Sequence, residues 1–295
     1  MLKHLVLSGG GPNGIAQLGI ITEFVRRGKV DPLEIQTIYG CSAGAMIAVL
    51  LALHIPLDAI SDYIIQRPWQ KFLSKIDWTD VNQSGGVLSC TKIIDAMEPL
   101  FKAYDIPVSI TFSEAFAKTG VDLHIVCTSL NTFDVTDFHR GTHPGMPIAT
   151  AMALSSALMP IFAPGVYEGE TYVDGGFSNH FPLSLCLKEI GVDQAGSILA
   201  VSTAGKVPEL RLNMTMVEYM ILIFNKMLVR LSRVPENDEV GISQCPYYVK
   251  IPTISMFDKT LWELLLASDE TGKRGLFQSG VDHAQHFLDD VKEAE

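Results

Sequence analysis

Three things are scarce in this 295-residue sequence: cysteine, basic residues and long apolar runs. The five cysteines, Cys41, Cys90, Cys127, Cys186 and Cys245, are odd in number and show no C-x-x-C spacing. That excludes a disulfide framework or a cysteine-based zinc site as an organising feature, and a reducing compartment is the expectation. Against 33 Asp and Glu stand only 22 Lys and Arg, a formal charge of -11, and so acidic a chain is expected to avoid nucleic acid. The longest apolar run, residues 43–57, contains His54 and Pro56 and falls short of the ~18 residues of a membrane span. Residues 1–8 run straight into a glycine cluster, which leaves no room for the apolar region and cleavage site of a signal peptide. The expected location is cytoplasmic, with membrane contact at most peripheral.

What is present is a hydrophobic content of 47%, enough for a sizeable core, arranged in short runs. Residues 2–7 read as a buried strand that stops at Ser8-Gly9-Gly10-Gly11. Ile15, Leu18, Gly19, Thr22, Phe24 and Val25 then follow at roughly helical spacing up to Gly28. Residues 35–39 read as a second strand, and a second helix begins after Gly44. Strand, helix, strand and helix in quick succession predict a right-handed βαβ unit, hence a parallel sheet covered by helices. Further strands are expected at 123–130, 135–139, 197–202 and 247–251, a helix at 147–158, and a hairpin at 165–173 that turns at Glu168-Gly169-Glu170. No stretch has a linker's length or composition, so one domain is expected, and the acidic tail from Asp282 reads as a solvated face.

Three motifs carry chemistry. Gly40-Cys41-Ser42-Ala43-Gly44 matches G-x-S-x-G between a predicted strand and a predicted helix, the setting of a nucleophile elbow. Gly40 and Gly44 leave room on either side of a serine pushed into a sharp turn, and the helix N-terminus beneath it favours developing negative charge. Gly9-Gly10-Gly11-Pro12-Asn13-Gly14 also joins a strand to a helix, and consecutive glycines can turn backbone N–H groups toward one oxyanion. The same letters satisfy the dinucleotide fingerprint G-x-G-x-x-G. That reading, however, expects an acidic residue at the end of the second strand, where this chain has Tyr39-Gly40-Cys41-Ser42, while Asp31 and Glu34 precede the strand. Asp174-Gly175-Gly176 sets a carboxylate at a predicted strand end. A serine nucleophile usually takes a histidine as base, yet none of the eight histidines, His139, His143 and His180 included, is clearly placed for it. An aspartate can act instead where desolvation raises its pKa toward the working pH.

In this order the three motifs resemble the patatin-like phospholipase family. Residues 149–164, ATAMALSSALMPIFAP, are similar to the family's helix and loop ahead of the aspartate, and residues 172–191, YVDGGFSNHFPLSLCLKEIG, to its D-G-G segment. The resemblance covers residues 2–202 as a catalytic core, with 203–295 as the C-terminal part of the same domain. It implies a single-domain three-layer α/β sandwich with a mainly parallel central sheet. Its chemistry would be that of a lipid acyl hydrolase with Ser42 as nucleophile, Asp174 as base and the N–H groups of Gly9, Gly10 and Gly11 as oxyanion hole. Gly14, Gly40, Gly44, Gly175 and Gly176 complete the motifs, and neither metal nor cofactor is implied for the reaction. One departure is Asn13, where the family usually carries Arg or Lys.

Two other readings compete: an ordinary α/β-hydrolase with a Ser-Asp-His triad, and a non-enzymatic lipid-binding or interaction module on a decayed hydrolase fold. The first is disfavoured because Ser42 follows only two strands. Residues 214–231 hold Val217, Met220, Ile221, Phe224, Met227, Leu228 and Leu231 at helical spacing near Lys226, Arg230 and Arg233. They read either as a core helix or as a lid that meets an acyl-lipid surface.

Overall fold

Short runs of consecutive apolar residues, buried on both faces of the sheet, build the centre of the molecule. A computed structural model of the chain describes residues 1–69, 86, 88–159, 161–205, 242–253 and 270–294, with isolated positions between 210 and 230. Its elements are β1 (His4–Leu7), α1 (Gly14–Arg26), β2 (Thr37–Cys41), α2 (Ala43–Ala52), α3 (Leu57–Gln66), α4 (Lys92–Ala103), α5 (Phe112–Thr119), β3 (Asp122–Ser129), β4 (Val135–Phe138), α6 (Ile148–Ser155), β5 (Gly165–Tyr167), β6 (Glu170–Asp174), α7 (Leu183–Ile190), β7 (Ile198–Gly205), β8 (Tyr248–Thr253) and α8 (Glu270–Ala294). The predicted residues 214–231 helix lies mostly outside the described residues. Among those described, no helix is long and apolar enough to cross a membrane.

One mixed sheet runs in the order β5-β6-β3-β2-β1-β7-β8, with β4 also on β3. β1, β2, β3, β7 and β8 pair in parallel, and β4, β5 and β6 are antiparallel additions. Successive side chains of a strand leave opposite faces. Leu5, Leu7, Ile38, Leu123, Ile125, Leu199 and Val201 accordingly enter one core with α1, α2, α6 and α8. Val6, Tyr39, Ile198 and Ala200 enter a smaller one with α7. The result is the expected three-layer α/β sandwich.

The C-terminal helix corrects the reading of the tail as a solvated face. Ala284 and Leu288 of α8 are buried in the larger core. The crossing of α8 on α1 is so close that a Cβ on Gly280 would stand 2.0 Å from Ala16 O, and one on Gly19 would stand 2.1 Å from Phe277 O. Only glycine permits that approach.

β3 sets up the site. Its edge pairs with β2 as far as Val126, opposite Cys41, and from Cys127 onward the partner is β6, with Asp174 opposite Cys127. Because β4 occupies the other edge of Cys127 and Thr128, β2 and β6 share one edge and meet end to end. β2 runs parallel to β3 and β6 antiparallel, so their carboxyl ends abut, and Ser42 and Asp174 are brought together from 132 residues apart.

Candidate active site

Ser42 stands between β2 and α2 at φ 53° and ψ -121°, a backbone conformation that bulky residues avoid. The tight turn explains its two flanking glycines. A Cβ on Gly40 would lie 2.7 Å from Ala45 Cα, and one on Gly44 would lie 2.5 Å from the carbonyl oxygens of Leu7 and Ser8. The end of α6 clamps the elbow from both sides. Ser42 N–H donates to Ser155 Oγ (2.9 Å), Ser155 Oγ donates to Val126 O (2.6 Å), and Ser156 Oγ donates to Ser42 O (3.2 Å).

Ser42 Oγ donates to Asp174 Oδ2 at 2.6 Å. The other carboxylate oxygen accepts Gly176 N–H at 2.8 Å, and the Asp174 backbone is held by Ala157 O (3.1 Å) and Thr128 Oγ1 (3.0 Å). Burial raises the Asp174 pKa to about 6, against the lowering effect of the bonds from Ser42 and Gly176. His180 is buried nearby, and desolvation lowers its pKa to about 4. Its ring Nε2 lies 3.4 Å from Thr203 Oγ1.

The glycine loop follows β1, and each of its carbonyls is pinned inward. Gln17 Nε2 donates to Ser8 O (2.8 Å). Ser8 Oγ (2.8 Å) and Thr203 Oγ1 (2.5 Å) both donate to Gly9 O, and Asn13 donates to Gly10 O through Nδ2 (3.1 Å). In a trans peptide the following N–H points the opposite way, so fixing three carbonyls fixes three N–H directions. Gly9 N–H is taken by His180 O at 3.0 Å, which narrows the expected donor set. Those of Gly10 and Gly11 have no acceptor among the described residues. Asn13 is buried and turned back on this loop, so it supplies a hydrogen bond where a cation was expected.

Beside Ser42 opens a pocket of about 890 Å³, its mouth included, walled by Gly11, Met46, Ile47, Trp69, Leu158 and Phe162 among others and almost wholly apolar. Gly14 also lines it, while Gly175 and Gly176 form the turn that carries Asp174. The sequence reading missed Ser155, Ser156, Gln17 and Thr203, whose partners are distant in the chain or are backbone groups without a spacing signature.

Three comparisons bear on this arrangement. Over 188 residues the chain is 32% identical to the probable lipid hydrolase 463L of Invertebrate iridescent virus 6, covering 63% of each protein. It is 29% identical over 186 residues to the uncharacterized protein R571 of Acanthamoeba polyphaga mimivirus, covering 62% of this chain and 61% of that one. Both matches thus span less than two thirds of the relative. The crystal structure of VipD from Legionella pneumophila shares the fold, with a TM-score of 0.54 at 19% identity over 98% of this chain and 67% of that one. The patatin-like phospholipase family model matches residues 5–187, more than half the chain and both halves of the site, and the chain belongs to that family.

Proposed function

We propose that the chain is a lipid acyl hydrolase of the phospholipase A or lysophospholipase type, cleaving carboxylic esters through an acyl-enzyme on Ser42 with Asp174 as base. The observation that carries this reading is the 2.6 Å hydrogen bond from Ser42 Oγ to Asp174 Oδ2 at the mouth of an apolar pocket. A base must be within hydrogen-bond reach and hold a pKa near the working pH. Asp174, at about 6, meets both conditions and is a stronger base than the buried His180 at about 4.

Asp174 takes the proton of Ser42 as Oγ attacks the ester carbonyl. The N–H groups of Gly10 and Gly11, aimed by the pinned carbonyls, receive the oxyanion of the tetrahedral intermediate, and the positive end of α2 adds to the field. Collapse expels the alcohol, which takes the proton back from Asp174. Water then enters by the same route and releases the acid. The pocket walls favour an acyl chain over a polar substituent, which supports a lipid rather than a sugar or peptide ester.

Labelling with a fluorophosphonate followed by peptide mapping tests the reading: the label is expected on Ser42 and is expected to vanish in Ser42→Ala. A folded chain that takes no label and hydrolyses neither a soluble ester nor a lysophospholipid would point instead to a lipid-binding module on a decayed hydrolase fold.

A further inference from the structure

One buried imidazole beside the site takes no part in the chemistry proposed above, yet the glycine loop is packed around it. His180 stands between the Asp174-Gly175-Gly176 turn and α7 and is only 7% exposed. Its ring touches the oxyanion loop and the aspartate turn at once. A Cβ added to Gly9 would lie 2.8 Å from His180 Nδ1 and 3.3 Å from Ser42 Cβ, and one added to Gly176 would lie 3.4 Å from the same Nδ1. A Cβ added to Gly10 would meet Thr203 Oγ1 at 2.8 Å. The side chains of His180 and Thr203 are therefore the surface on which the loop rests, and they leave no room for a side chain at Gly9 or Gly10.

The hydrogens of this pair follow by elimination. Thr203 Oγ1 is 2.5 Å from Gly9 O, and a carbonyl only accepts, so the hydroxyl gives its one hydrogen there. Toward His180 Nε2, 3.4 Å away, the same oxygen can then only accept, and Nε2 carries the ring hydrogen. Nδ1 holds the lone pair, and it has no hydrogen-bond partner among the described residues. A hydrogen bond between the ring and the Thr203 backbone favours the charged form, but burial outweighs it and lowers the pKa to about 4, which keeps the ring neutral where Asp174 works. The other tautomer would undo the arrangement. With the lone pair on Nε2, the ring would compete for the Thr203 hydrogen, and Gly9 O would keep only the bond from Ser8, its own neighbour in the chain.

We propose that His180 is a positioning residue of the oxyanion hole: Nε2–H donates to Thr203 Oγ1, which holds Gly9 O and so aims Gly10 N–H at the developing oxyanion. The inference rests on the acyl-enzyme mechanism proposed above and gives His180 no proton to transfer.

The test is steady-state hydrolysis of a soluble ester by the full chain carrying His180→Gln or His180→Met. The two side chains are close in size, and only glutamine ends in a donor that can replace Nε2–H. His180→Met should lower kcat by roughly 10-fold at unchanged KM, less than the loss of an oxyanion donor itself, and His180→Gln should stay within about 3-fold of the wild type. The acid limb of kcat/KM should keep its place in both, since Asp174 remains the base. Added to Thr203→Val, His180→Met should cost little more, because both changes act on one link. Equal kcat in the two variants, a loss that appears in KM, or full additivity with Thr203→Val overturns the inference. Since replacing a buried ring can unfold the chain, nitrogen-15 NMR of the histidine rings in the wild type supplies a second measurement without substitution. His180 is expected neutral at pH 7 with its hydrogen on Nε2, and a hydrogen on Nδ1 overturns the inference equally. A wild type that hydrolyses no ester would instead remove the acyl-enzyme reading, and this inference with it.

Discussion

The two halves of the candidate site are held in unlike ways. At Ser42 the unusual feature is in the backbone, a positive φ clamped by Ser155 and Ser156, while the side chain is an ordinary hydroxyl. At Asp174 the backbone is ordinary, at φ -45° and ψ 133°, and the unusual feature is ionisation, with burial lifting the carboxyl to about 6. On the proposed mechanism the nucleophile is positioned by strain, and the base is activated by desolvation. Both depend on α6 and on the end-to-end meeting of β2 and β6, but changes at the two positions should leave different traces.

The largest effect should come from removing either partner. Ser42→Ala is expected to lower ester turnover by at least ~10³-fold with little change in melting temperature, because a covalent nucleophile is lost and the turn is kept. Asp174→Asn should cost nearly as much activity yet stabilise the fold at neutral pH. The sign follows from linkage. A carboxyl with a raised folded pKa binds more protons in the native state than in the unfolded chain between about pH 4 and 6, so stability falls with rising pH across that window, and the cost is complete above it. Asparagine escapes that cost, on the order of 3 kcal/mol. Melting curves at pH 8 and pH 4 should show a stabilisation at the first that is absent at the second. An equal shift at both would break the contrast between strained serine and desolvated aspartate.

A smaller effect tests the glycine loop after β1, the proposed oxyanion hole, which lies on the β1 side of Ser42, away from β6. On the proposed mechanism Thr203 is a positioning residue: its hydroxyl holds Gly9 O, and so aims Gly10 N–H. Thr203→Val should lower kcat by roughly 10–100-fold with KM nearly unchanged, less than the loss expected when an oxyanion donor itself is removed. Thr203→Ser should restore most of the rate. A loss that appears in KM, or that serine fails to rescue, would point to packing rather than to aim.

Much of this arrangement is legible in the sequence, for physical reasons. Parallel strands buried on both faces appear as short apolar runs, which is why residues 2–7 and 35–39 are found. Gly40 and Gly44 show because no side chain fits against Ala45, Leu7 and Ser8. Asp174 emerges only in company with the other motifs, since an Asp-Gly-Gly by itself is an ordinary turn. What stays hidden is made by pairs far apart in the chain. Ser155 meets Ser42 across 113 residues, and Thr203 meets Gly9 across 194, so neither leaves a periodic trace. The docking of α8 was hidden for another reason: its closest contacts are made by Gly19 and Gly280, which add nothing to a hydrophobic pattern.

The mildest perturbation is pH itself, and it probes the desolvated half without a mutation. Asp174 must be ionised to accept the Ser42 proton, so with an uncharged soluble ester kcat/KM should be flat above about pH 6 and fall tenfold per unit below it. An unperturbed histidine would place this limb near 6.5, too close to separate by position alone. Temperature separates them. Ionising a carboxyl has almost no enthalpy, whereas deprotonating an imidazolium absorbs heat, so the limb of an aspartate base should hold its place on warming while that of a histidine base moves to lower pH. His180, held near 4 by burial, would put the limb about two units lower still. A limb that shifts with temperature, or one centred near pH 4, would therefore remove Asp174 as the base and leave the strained serine in need of another partner.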